Sequence, residues 1–243
     1  MTNHVIVALD VPKIALAEKA TEAVAPHVAG VKIGKQLFTA EGPEAVRAMQ
    51  RLGVQIFLDL KFHDIPNTVA GAVSSAAGLG VWMVNVHAGG GPTMMRAAAE
   101  AAARANPKPI VLAVTVLTSF RPEEFQTTLA TAETIPETVT RWARLAQAAG
   151  LDGVVASPHE IGLIRRACGP TFLIVTPGVR PKDAALNDQQ RVMTPGEAIR
   201  AGADYVVVGR PIMDAKEPAD AARRIAEECR IAAAVGRQAQ EPE

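Results

Sequence analysis

Eight short apolar runs recur along the chain and constrain its fold more than any other feature. They are Val5 to Leu9, Gly30 to Ile33, Val54 to Leu58, Val81 to Val86, Ile110 to Val114, Leu151 to Ala156, Phe172 to Val175 and Tyr205 to Val208. Each is too uniformly apolar for a strand with one wet face, as expected of a strand covered on both faces, and each is far shorter than the roughly 18 residues a membrane helix needs. Eight runs in 243 residues leave about 30 residues per unit, the size of one βα repeat.

The intervals carry helical patterns: Ile14 to Val24, Pro43 to Leu52, Thr93 to Ala105, Pro136 to Ala149, Pro158 to Ala167, Pro195 to Ala201 and Pro218 to Ala234. Several place Pro in the first turn, where its missing N–H costs nothing. Gly150-Leu151-Asp152 and Gly202-Ala203-Asp204 close a helix and lead into a strand. The alternation predicts an α/β chain folded as a single (β/α)8 TIM barrel over residues 1–243, a fold that commonly takes about 250 residues. The competing open doubly wound sheet would need a Gly-rich turn after the first strand, where Asp10-Val11-Pro12 stands instead. Two connections, Thr118 to Ile135 and Arg180 to Met193, are long, and each is a candidate lid at the carboxyl ends of strands.

Charge narrows the partners. With 25 Lys+Arg against 25 Asp+Glu, and only 2 Trp, 1 Tyr and 6 Phe, the chain offers neither a basic groove nor stacking platforms for nucleic acid. Cys168 and Cys229 make neither a CxxC pair nor a disulfide framework, and both are expected to be free and non-catalytic. No basic stretch followed by an apolar one marks the first residues, so a cytoplasmic, untargeted protein without membrane contact is expected.

Nearly every apolar run stops at a polar residue: Asp10, Lys32, Asp59 with Lys61, His87, Thr115 then Thr118, Ser157, Thr176 with Arg180, and Gly209 with Arg210. In a barrel these ends share the mouth where active sites lie. Asp59 and Lys61 are two apart on a strand and point the same way, with Asp64 in the following loop and Lys32 on the neighbouring strand. Such an array keeps a lysine protonated and able to act as a general acid. Loops after the seventh and eighth barrel strands often bind phosphate, so Arg180, Gly209 and Arg210 are the expected anion site. Weaker candidates are His87 and Gly89-Gly90-Gly91-Pro92, which lacks the Lys-Ser/Thr of a P-loop; Ser157-Pro158-His159-Glu160 lacks a nucleophile elbow. No histidine pair has metal-ligand spacing.

Taken together these residues resemble the orotidine 5′-phosphate decarboxylase family. Its most specific pattern, D-x-K-x-x-D-I-P-N-T, stands here as Asp59-Leu60-Lys61-Phe62-His63-Asp64-Ile65-Pro66-Asn67-Thr68. Flanking matches include Ala8-Leu9-Asp10, Val31-Lys32-Ile33-Gly34, Val84-Asn85-Val86-His87-Ala88, Leu117-Thr118-Ser119, Thr176-Pro177-Gly178-Val179-Arg180, Asp188-Gln189-Gln190-Arg191 and Val207-Val208-Gly209-Arg210. The resemblance implies decarboxylation of orotidine 5′-monophosphate to UMP with no cofactor and no metal. It implies a catalytic set of Lys61, Asp59, Asp64 and Lys32, in which Lys61 protonates C6 and Asp59 lies against the substrate carboxylate. Asp10, Lys32 and Thr68 would hold the ribose, Thr118 the pyrimidine, and Arg180, Gln189, Gly209 and Arg210 the phosphate under the Arg180 to Met193 loop. It further implies a homodimer in which Asp64 to Thr68 reach the partner's site. Lys35 and Val116 depart from the usual family residues, outside the motif.

Two other readings compete. Barrel relatives that share D-x-K-x-x-D act on sugar phosphates with Mg²⁺, but they carry an acidic ligand where Lys32 stands, and a lysine repels a divalent ion. A catalytically dead phosphate-binding barrel would not need the intact Asp59, Lys61 and Asp64 set.

Overall fold

The computed structural model describes residues 3–181 and 193–238. Its strands are β1 (Val5–Ala8), β2 (Gly30–Gly34), β3 (Ile56–Phe62), β4 (Met83–His87), β5 (Ile110–Val114), β6 (Gly153–Val155), β7 (Leu173–Pro177) and β8 (Tyr205–Val208). The strand pairings among the described residues are parallel, and the strands follow in chain order around a closed barrel, the (β/α)8 fold expected from the apolar runs. Every run expected to be a strand overlaps one, and β2, β3, β4 and β7 continue past the expected ends. The helices are α1 (Ile14–Val24), α2 (Lys35–Glu41), α3 (Pro43–Arg51), α4 (Pro66–Gly78), α5 (Gly91–Ala103), α6 (Pro122–Leu129), α7 (Ile135–Ala148), α8 (Ile161–Cys168), α9 (Pro195–Ala201), α10 (Arg210–Met213) and α11 (Pro218–Gln238).

By contact density the chain groups into two compact units, residues 1–59 with 176–243, and residues 60–175. In the first, β1 pairs with both β2 and β8, with Ile6 opposite Gly30 on one side and Val207 on the other. A methyl on Gly30 would lie 2.5 Å from the Gln55 carbonyl oxygen, so this strand can start only with glycine. α1 buries Ala17, Thr21 and Val24, and the Thr21 hydroxyl donates to the Met49 sulfur of α3 at 3.1 Å. α9 opens with a capping box, Thr194 and Glu197 each satisfying the other's backbone N–H. The Gly196 N–H then donates to Glu228 of α11 at 2.8 Å.

In the second unit β4, β5, β6 and β7 run side by side, with Asn85 opposite Leu112, Ala113 opposite Val154, and Val155 opposite Val175. Gly153 opens β6 against the Leu173 carbonyl, leaving no room for a side chain. Asp152, just before it, accepts from the Val111 N–H at 2.8 Å and from Lys108 at 2.7 Å, pinning the start of β5. The helix-closing role read for Gly150 and Gly202 is realised, since both adopt positive φ, 85° and 111°. The Thr118 to Ile135 connection differs from the expected loop because it folds its middle into α6, whose first residue is Pro122 and which buries Phe125. α4 also begins inside the D-x-K motif segment, where its Ala, Gly and Ser content gave little periodic signal.

Candidate active site

β2 carries the sequence Gly-Val-Lys-Ile-Gly, buried throughout. A lysine at its centre is costly unless its charge is met. Lys32 meets it twice: its Nζ lies 3.2 Å from Asp10 Oδ1 and 3.3 Å from Asp59 Oδ2. Asp59 is as enclosed as Lys32, whereas the Asp10 side chain is 61% exposed. The ammonium is therefore fixed between a buried and an open carboxylate. Gly34 makes room for this pair, because a methyl there would stand 3.0 Å from Lys32 Nζ and 3.1 Å from Asp10 Oδ1.

Gly209 lies against the same Asp10: a methyl on it would sit 3.8 Å from Asp10 Oδ2. Arg210 starts α10 from an exposed position. Arg180 is buried, and its backbone N–H donates to the Met193 carbonyl at 3.1 Å. The Thr176 hydroxyl, at the end of β7, is buried with no hydrogen-bond partner among the described residues. Gln189 and the body of the expected closing loop lie outside the described residues.

Lys61 occupies the penultimate position of β3 with φ of 53°, one of two non-glycine residues with positive φ among those described, the other being Ala130. For a residue with a β-carbon this costs about 1–2 kcal/mol. Asp59 and Lys61 both lie on β3, as expected, but Lys61 itself departs from the extended φ of a strand. The Lys61 N–H donates to the Asn85 carboxamide oxygen at 2.8 Å. Beyond it, Asp64 Oδ1 accepts from the Ile65 N–H at 2.6 Å, and Asp64, Thr68 and Thr118 are all exposed.

His87 gains a structural role. Its Nδ1 accepts from the Gly89 N–H at 3.1 Å, capping the 3-10 turn Ala88–Gly90, and its ring stacks on His63 at 5.1 Å with the Trp142 edge at 6.0 Å. The Gly89 to Gly91 segment is accordingly the turn that leads from β4 into α5. Ser157 likewise caps the turn after β6, accepting from the His159 N–H at 3.3 Å. In that turn Glu160 is buried, and desolvation pushes its carboxyl above the usual range against the opposing hydrogen bond from Ser157. Burial likewise raises the Cys168 thiol and pushes Cys229 up to about 12, so neither is a ready nucleophile. Among the described residues, no three His, Cys, Asp or Glu side chains are grouped to hold a metal ion.

Asn85, Gly34 and Glu160 lie within segments quoted above, but sequence reasoning gave them no role of their own. For Asn85 a signal existed: it is the one polar residue inside the apolar run Val81 to Val86.

Residues 3–225 match the family described as orotidine 5′-phosphate decarboxylase / HUMPS. A protein of Moorella thermoacetica named orotidine 5′-phosphate decarboxylase is 55% identical over 231 residues, covering 93% of this chain and 92% of its own. One of the same name from Geobacter sulfurreducens is 56% identical over 229 residues, with 93% and 95% covered. Among solved structures, orotidine 5′-phosphate decarboxylase from Lactobacillus acidophilus superposes with a TM-score of 0.84 at 36% identity, covering 94% of this chain and 99% of that one. The enzyme of that name from Pyrococcus horikoshii gives 0.76 at 27% identity, with 93% and 99% covered. With the D-x-K motif ending β3, Lys32 held between two aspartates, and a match running nearly end to end, this chain belongs to the orotidine 5′-phosphate decarboxylase / HUMPS family.

Proposed function

We propose that the protein decarboxylates orotidine 5′-monophosphate to UMP and carbon dioxide, the last step of UMP synthesis, without a cofactor or metal. The family spans two chemistries, and one observation favours this one. Lys32 places an ammonium between Asp10 and Asp59, at the position where metal-dependent sugar-phosphate relatives need an acid. The relatives at 55% and 56% identity carry the decarboxylase name.

Departure of carbon dioxide leaves the bonding electron pair on C6, with no adjacent carbonyl to receive it, so fixed charge must do the stabilising. Lys61 faces that carbanion and donates a proton from its ammonium to C6; solvent then reprotonates the amine. Asp59 crowds the substrate carboxylate, and the repulsion is relieved as the neutral product leaves. Lys32 holds Asp59 in place and, with Asp10 and Thr68, binds the ribose hydroxyls, while Thr118 meets the pyrimidine. Arg180, Gln189, Gly209 and Arg210 grip the phosphate, whose binding energy offsets the crowding. Asp64 completes the catalytic set from the partner of a homodimer, a role consistent with its exposure beside Ile65, which is 67% exposed. Residues 1–243 act as one barrel domain, in the cytoplasm. Among the described residues no helix is long and apolar enough to cross a membrane.

Lys61→Ala tests the assignment. It should lower decarboxylation by on the order of a thousandfold or more while UMP still binds; turnover close to the parent's would contradict it.

A further inference from the structure

Asn85 is a polar residue in the middle of β4, with no exposed surface, between the fully buried Val84 and Val86. Asparagine is a poor strand residue, and an amide in an apolar layer is unfavourable unless bonded. Its carboxamide oxygen accepts the backbone N–H of Lys61 at 2.8 Å. That N–H belongs to a residue turned into the left-handed region, φ 53°, and a buried backbone donor must find an acceptor. The carboxamide nitrogen cannot accept from an N–H, so the oxygen's orientation follows from the chemistry.

The φ of Lys61 sets the direction of its Cα–Cβ bond and hence where its ammonium can reach. We infer that Asn85 is a positioning residue for Lys61, holding its backbone in the left-handed conformation that aims the proton donor. This rests on the assignment of Lys61 as the donor.

Asn85→Leu keeps the branched shape and removes the acceptor, Asn85→Ala removes both, and Asn85→Asp keeps the acceptor. Thermal melts identify the folded variants, and either of the first two suffices. N85L and N85A should lose about tenfold to a hundredfold in kcat, the scale set by a misplacement of about 1 Å, with KM for orotidine monophosphate and affinity for UMP within about threefold of the parent. Affinity for a UMP analogue bearing an oxyanion at C6, which mimics the carbanion, should fall in step with kcat. N85D should recover most of the lost kcat. Parent-like kcat in N85L or N85A, an equal loss in N85D, or a loss confined to KM would overturn the inference. Lys61→Ala measured alongside separates the two failures. An inactive K61A with a fully active N85A removes only the role of Asn85, whereas an active K61A removes the donor assignment itself.

Discussion

At the scale of single residues, the site is built by making unfavourable placements tolerable. Lys32 is a buried cation made acceptable by two carboxylates, and Lys61 is a left-handed lysine made acceptable by a side-chain acceptor. Removing one partner of a buried ion pair strands the other charge, which costs about 3–5 kcal/mol. Lys32→Ala should therefore lower the melting temperature as well as activity, and an unchanged melt would contradict the buried pair. Arg210 is exposed. Arg210→Ala should raise KM for the phosphorylated substrate by about tenfold or more with little change in fold stability, and an unchanged KM in steady-state assays would move the phosphate elsewhere. Motif residues were readable from the sequence because their chemistry is in their side chains. Asn85 and Gly34 were not, because their roles depend on which backbone N–H or ammonium stands within about 3 Å.

Among elements, the strands were the most readable and the helices less so. A strand buried on both faces is predominantly apolar, and all eight runs show this, with Lys32, Gln55, Asn85 and Asp152 as single polar interruptions. α4 and α6 escaped because one is rich in Ala, Gly and Ser and the other is a short helix inside a connection. The turn after β6 carries a testable consequence. Burial raises the Glu160 carboxyl in the fold above its ordinary 4.5. The native state thus holds its proton more tightly than the unfolded chain does, so the stability it contributes is full below that ordinary value and is lost as pH rises through the raised one. Glu160→Gln, which cannot ionise, should melt higher than the parent at neutral pH, and the gain should vanish near pH 4. A gain that did not depend on pH would refute the desolvation account. Gly153→Ala, pressing a methyl against Leu173, should destabilise by about 1–3 kcal/mol in denaturant titrations.

For the whole molecule, the balance of 25 positive and 25 negative groups conceals a site of locally opposed charges, so catalysis depends on placement and not on a long-range field. The fold class could be read from the period of the apolar runs alone. The proposed homodimer could not, since an exposed Ile65 is by itself only one apolar residue on a surface. Ile65→Glu should shift the protein from dimer to monomer in sedimentation and lower activity with it. The most direct measurement is the absorbance change as purified protein consumes orotidine 5′-monophosphate, run with and without EDTA. The proposed chemistry requires UMP to form at the same rate in both; activity abolished by EDTA and restored by Mg²⁺, or no turnover at all, would contradict it.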